Sequence, residues 1–180
     1  MKEMAALTIL SALLVLPGCF EVDVSFSRSK RGTVDGDPIL NKAKATITGE
    51  LLDPVTVDEP DKASQLASAR LENLFVEVTD DAVDGVWDRD DLLFVYRVDA
   101  WVEPLEPDSD LPRILIAWYD IEEHEPVDPT LIEFEVDGSV EFIPYLKQGC
   151  RVVFESVTLI PHDDVSIRVT AEFGGTHEVL

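Results

Sequence analysis

The sequence predicts an all-β fold, an antiparallel β-sandwich of jelly-roll or immunoglobulin-like type with about eight strands and one short helix. Three observations carry this. Apolar and polar residues alternate with period two in several separate stretches. The apolar runs are short and bounded by turn-rich segments. Hydrophobic residues make up 46% of the chain, enough to cover two packed inner faces, despite strong acidity.

The strands follow in order. Phe20, Val22, Val24 and Phe26 alternate with Glu21, Asp23 and Ser25. Ala45, Ile47, Gly49 and Leu51 alternate with Lys44, Thr46, Thr48 and Glu50. Leu74 to Thr79 is a further strand. Leu92, Phe94, Tyr96, Val98 and Val102 predict one face of a long strand whose other face carries Leu93, Val95, Arg97, Asp99 and Trp101. Ile114 to Tyr119 is almost wholly apolar and reads as a central strand. Ile132, Phe134 and Val136 alternate with Glu133 and Glu135. Val152 to Ile160 is apolar except for Glu155, Ser156 and Thr158. Val165, Ile167, Val169, Ala171 and Phe173 close the series. Successive strand side chains point to opposite faces, so each alternation means one buried face.

One stretch differs. Ala63, Leu66, Ala67, Arg70 and Leu71 follow Pro60 at helical spacing, predicting a short helix over Asp61 to Leu71, with its C-terminal half equally able to begin the next strand. Residues 27–40 read as a tether or a mobile first loop. Turns are expected at Thr33 to Pro38, Asp80 to Asp91, Glu103 to Pro112 and His124 to Pro129. No repeat divides residues 19–180, which read as one domain.

Charge narrows the function. Asp and Glu number 37 against 14 Lys and Arg, a net charge of −23. Such a surface repels phosphates, so nucleic-acid binding is disfavoured. It equally opposes docking on an anionic bilayer through a basic patch. Disorder, the usual meaning of strong acidity, is countered by the apolar alternations.

The first residues stand apart. Residues 1–19 read MKEMAALTILSALLVLPGC. Lys2 gives a short positive start, and an apolar run of about a dozen residues follows, too short for a bilayer span and suited to a signal-peptide core. Pro17 and Gly18 end any helix before Cys19. Leu16-Pro17-Gly18-Cys19 in this position resembles the lipobox of bacterial lipoproteins. The resemblance implies that residues 1–18 are removed and that the Cys19 sulfur carries a diacylglyceryl group, with further acylation of the new amino terminus. Several acyl chains make a durable anchor where one is marginal. Phe20, rather than Asp, after the cysteine implies the outer membrane where the host has one. The expected localisation is therefore export and lipid attachment to the cell envelope. The second half, through Leu92–Glu103, Ile114–Trp118, Phe142-Ile143-Pro144-Tyr145-Leu146 and the last strand, is similar to a loose class of bacterial sandwich lipoproteins of uncharacterised role. That similarity implies a fold only.

Cys150 is the second cysteine. A disulfide to Cys19 is chemically open in an oxidising compartment. If Cys19 carries lipid, Cys150 is left without an intrachain partner and is expected as a small buried apolar residue. A reactive thiol near Lys147 and Arg151 is the sharper alternative.

Three sites are candidates. In the loop from Asp80 to Asp91, residues Asp80, Asp84, Gly85, Asp88 and Asp91 fall at spacings like those of an EF-hand, offering hard oxygens to calcium. Ala82 stands at a ligand position, and an acidic solvated turn explains the same residues. Asp35 and Asp37, flanking Gly36, are a weaker version. Trp101, on the polar face beside Arg97 and Asp99, is an exposed aromatic able to stack on a sugar, or else a residue covered by a loop. Trp118 is expected in the core, while Trp87 falls in the acidic loop.

Catalytic patterns are weak. His124, His162 and His177 sit at no metal-ligand spacing. There is no GxSxG elbow, and Asp137-Gly138-Ser139 reads as a hairpin turn. The expectation is a non-catalytic binding or structural module without a cofactor. It would meet the membrane through its N-terminal lipid and a glycan or protein partner in the envelope. The alternatives are a calcium-assisted carbohydrate- or protein-recognition module and a carboxylate-based hydrolase of envelope polymers.

Overall fold

The computed structural model describes residues 20–40, 42–55, 66–79, 90–123 and 128–179. Among these are nine strands and one helix: β1 Phe20–Val34, β2 Lys44–Val55, β3 Leu66–Val78, β4 Val95–Pro104, β5 Ile114–Asp120, β6 Leu131–Glu133, β7 Glu135–Val136, α1 Ile143–Gln148, β8 Cys150–Leu159 and β9 Val165–Val179. No helix among the described residues is long and apolar enough to cross a membrane.

The strands form two antiparallel sheets, one in the order β1-β9-β3-β6 and the other β2-β8-β4-β5-β7. First pairs with last and the pairing nests inward: β1 with β9, β2 with β8, β3 with β6, β4 with β5. That nesting is the jelly-roll order, with β7 added at one edge, and it decides against the immunoglobulin-like alternative. The predicted β-sandwich is therefore the observed fold.

Several expected elements shift, each for a physical reason. Of the predicted helix at Asp61 to Leu71, the C-terminal half, residues 66–71, instead begins β3, the alternative the sequence left open, and 61–65 lie outside the described residues. Bulges in β3 between Leu66 and Ser68 and between Leu71 and Asn73 insert extra residues. The buried set becomes Ala69, Leu71, Leu74 and Val76, a period-two alternation that steps by three across the second bulge. The one described helix forms instead at Ile143–Gln148, with Pro144 in its first turn, where its missing N–H costs nothing. It ends at Gly149, whose φ of 79° suits glycine.

Residues 27–34, expected as a loop, continue β1. Each pairs with β9, from Ser27 opposite Glu172 to Val34 opposite Val165. Backbone pairing overrides the polarity of these side chains on an edge strand. In β4 a bulge between Val95 and Arg97 breaks the predicted face: Val95 and Val98 are buried while Tyr96 is exposed. The expected strand Ile132 to Val136 crosses between sheets at Phe134, giving β6 and β7 and one strand more than expected. Trp118, expected in the core, faces Asp99 on the outer side of the five-stranded sheet and is half-buried.

The core is densest beside α1. Phe142, Leu52, Leu74, Ile116, Val102, Val152 and Cys150 are all but inaccessible there. Phe142 meets Phe173 edge-on at 5.2 Å, and Phe173 stacks on Phe26 at 4.9 Å. Glu141 ties the helix to β3: its Oε1 accepts from the Ala69 N–H at 2.8 Å and the Ile143 N–H at 3.1 Å.

Candidate functional site

At the end away from α1 the two sheets do not close. The gap is a cavity of about 350 Å³ whose apolar walls include Leu51, Val76, Val95, Val98, Ile132, Phe134 and Val169. That volume lies at the low end of the roughly 300–1,000 Å³ usual for small-molecule sites.

Strand phase explains the opening. Phe26 stacks on buried Phe173, so the even positions of β1 face inward: Phe26, Arg28, Lys30, Gly32, Val34. Going along β1, this phase passes from an aromatic ring to Arg28, whose side chain is exposed, then to the half-buried Lys30, and then to no side chain. A Cβ placed on Gly32 meets nothing within 4 Å. Across the gap, β2 offers Ile47, 36% exposed although it faces inward, and β8 offers Phe154 and the hydroxyls of Ser156 and Thr158. Ser156 Oγ donates to the Ile47 carbonyl at 3.2 Å, and Thr158 Oγ1 donates to the Leu159 carbonyl. Both buried hydroxyls thus satisfy themselves locally, which keeps the wall effectively apolar. Lys30, Arg31, Thr33 and Asp35 line the cavity where β1 ends.

The predicted aromatic site lies elsewhere, on the outer face of the five-stranded sheet. Arg97 and Asp99 form a close pair with nitrogen–oxygen distances of 3.1–3.2 Å. Trp101 shares that face but is half-buried, and the Arg113 guanidinium sits over its ring, 4.7 Å from the centroid. Arg113 is held in turn by Glu155 at 2.7 Å and Glu103 at 3.7 Å. The ring face that a sugar would use is thus occupied by an arginine. The Trp101 Nε1–H is buried with no partner among the described residues.

Of the predicted calcium residues, Asp80, Asp84 and Asp88 lie outside the described residues, as do Trp87 and His124. Asp91 is described: its carboxylate accepts from the Leu93 N–H at 3.1 Å, closing a turn. Asp37 does the same for Ile39 and Leu40. Among the described residues no three His, Cys, Asp or Glu side chains are grouped to hold a metal. His162 is an exposed loop residue and His177 lies on β9. Ser139 donates to Asp137 at 2.6 Å, a bond that holds the Asp137 carboxyl below its ordinary value and makes Ser139 a turn residue.

Next to Asp91, Asp90 has a buried Oδ1 with no partner among the described residues. Burial, then the Asp163 and Asp91 carboxylates, hold the Asp90 carboxyl above its ordinary 3.8. The folded chain therefore binds this proton more tightly than the unfolded chain, and stability falls as pH rises through the raised value. Replacing Asp90 by Asn should raise the melting temperature at pH 7, with the gain shrinking as pH is lowered through the carboxylate range. An unchanged melting temperature at pH 7 contradicts this.

Cys150 is 1% exposed, and burial pushes its thiol up to about 11. Burial of this depth opposes a low-pKa reactive thiol. In a Cys19→Ala chain at pH 8, an aromatic disulfide reagent should leave native Cys150 untouched for as long as the fold persists and react at once in urea. Prompt reaction of the native chain would show that the α1 end opens readily.

No family model matches the chain, and no curated protein does. Among the solved structures similar to it are a capsid protein and two viruses. The decameric BFDV capsid protein shares 10% identity at a TM-score of 0.39, over 87% of this chain and 99% of its own. Desmodium yellow mottle tymovirus gives 11% and 0.25, over 93% of this chain and 95% of its own. Turnip yellow mosaic virus gives 12% and 0.28, over 88% and 97%.

Proposed function

We propose that this chain is a non-catalytic binding module, held on the cell envelope by lipid at Cys19, that takes a small apolar ligand between its two sheets. The observation that carries the reading is the open, apolar cavity of about 350 Å³ between the two sheets. A void between apolar walls leaves them without contact partners on one side and forfeits dispersion energy, which a ligand restores.

The anchor fits the same picture. Phe20, next to Cys19, already pairs with Val179 at the α1 end, while the cavity opens beside Lys30 to Val34. Ten strand residues separate Phe20 from Lys30, roughly 33 Å. A lipid at Cys19 would put the mouth of the cavity on the side of the domain away from the membrane, where it meets solvent and other envelope components.

Two measurements test this. Intact mass of detergent-extracted protein should show acyl mass on a chain beginning at Cys19, and an unmodified soluble chain would overturn the anchor. For the cavity, an uncharged naphthylamine dye should brighten on binding the Cys19→Ala chain. Gly32→Phe, whose ring enters open space, should abolish the signal without lowering the melting temperature. Undiminished dye binding in that variant would overturn the cavity as the site.

A further inference from the structure

We infer that the cavity is built for a single-chain anionic amphiphile, with its hydrocarbon chain between the sheets and its carboxylate at the mouth beside Lys30; this rests on the cavity reading above.

Size sets the chain. At about 350 Å³ the cavity sits at the small end of ligand sites, a size that suits a single hydrocarbon chain.

Polarity sets where the head goes. Inside, the Ser156 and Thr158 hydroxyls spend their protons on the Ile47 and Leu159 carbonyls. Neither can donate to a buried anion, and an anion without donors is costly to bury. The head must stay at the rim.

Charge sets the sign of the head. The chain carries −23 overall, with only 14 basic residues, yet Arg28, Lys30 and Arg31 fall within four positions of one another. Lys30 faces inward opposite Val169, itself 5% exposed, at the point where the wall changes from apolar to open. Lys30 also interacts within the protein. An ammonium has three donors, so a ligand carboxylate adds to that interaction rather than needing to replace it. Two acids, Asp35 and Glu50, line the cavity as well, and Glu50 is drawn to Arg151 at 3.5 Å. Basic residues facing inward on an edge strand also discourage pairing with another chain. That role makes no demand on what enters the cavity, so the two can be separated.

The test uses the Cys19→Ala chain without detergent and displacement of the bound naphthylamine dye by dodecanoate and by dodecanol. Dodecanoate should displace at roughly tenfold lower concentration than dodecanol, the size expected of one charge-assisted contact. From octanoate to dodecanoate, affinity should rise about fourfold per methylene. Lys30→Gln should bring the two twelve-carbon ligands level, and Lys30→Arg should keep the preference. Equal displacement by dodecanoate and dodecanol in the parent chain overturns this inference while leaving the cavity reading intact. So does a preference that survives Lys30→Gln, even if that variant changes the oligomeric state. Failure of the dye and both ligands to bind would instead remove the cavity reading itself.

Discussion

Phe142→Ala should remove about 3–5 kcal/mol of stability, the usual cost of emptying a fully buried aromatic site. Phe142 is 1% exposed and its ring meets Phe173 at 5.2 Å and Tyr145 at 6.4 Å. It joins three elements. Its N–H donates to the Ala69 carbonyl on β3 at 2.8 Å, and its carbonyl accepts from the Leu146 N–H at 2.8 Å inside α1. Through Phe173 the ring also touches β9. No neighbour can collapse into the space, because Phe173 is already held on its other side by Phe26. Domains of this size hold about 5–15 kcal/mol in all, so the variant should unfold at a much lower urea concentration with a similar slope. A loss below about 1 kcal/mol would mean that the α1 end is loosely packed. The cavity lies at the other end, so the folded fraction should bind dye with unchanged affinity.

Gly175→Ala should be destabilising even though Gly to Ala in a strand is ordinarily a gain of about 0.5–1 kcal/mol. The new Cβ would lie 2.1 Å from the Ser68 carbonyl oxygen and 3.2 Å from the Ala69 Cα. Both belong to the backbone of β3, which cannot swing aside as a side chain can. Gly175 sits mid-sheet, opposite Val24 on one side and Ala69 on the other. Relief would require β3 and β9 to part beside the Leu66/Ser68 bulge, breaking the hydrogen bond between the Ser68 and Thr176 hydroxyls at 3.0 Å. We expect a loss of about 3 kcal/mol, at the upper end of overpacking costs. Gly138→Ala is the control: its Cβ meets nothing within 4 Å, and it should be neutral. Equal melting temperatures for the two variants would contradict the close approach of β3 to β9.

Local alternation in the sequence carries the strands well where the ladder is regular. β9 keeps one phase from Val165 to Phe173, and its inward residues are those the alternation names. β3 and β4 are harder because bulges shift the phase within the strand, turning Tyr96 outward and moving the buried positions of β3 from Ala69 and Leu71 to Leu74 and Val76. A bulge depends on the partner strand, which a single local window does not contain. β6 and β7 are misread for a similar reason, since nothing local marks Phe134 as the point where the chain changes sheets.

The candidate sites show the same limit more strongly. Arg97 and Asp99 are neighbours on one strand face, as strand spacing requires, and they do pair. The cover over Trp101 comes from Arg113, in the connection before β5, and follows from pairing that the sequence does not display. The cavity joins Lys30 and Gly32 near the start of the chain to Ser156 and Thr158 near its end. Its only local trace is the inward series of β1, where Phe26 gives way to Arg28, Lys30 and Gly32. That series becomes visible once residues 27–34 are recognised as strand rather than loop.

A methyl-resolved NMR titration of the Cys19→Ala chain with the naphthylamine dye shows whether the ligand enters between the sheets. Shifts should concentrate on Ile47, Val98, Ile167 and Val169 around the cavity, with Val102 and Val152 beside α1 unmoved. Shifts confined to Leu115, Val153 and Val157 on the outer face around Trp101, or no shifts at saturating dye, would contradict entry between the sheets.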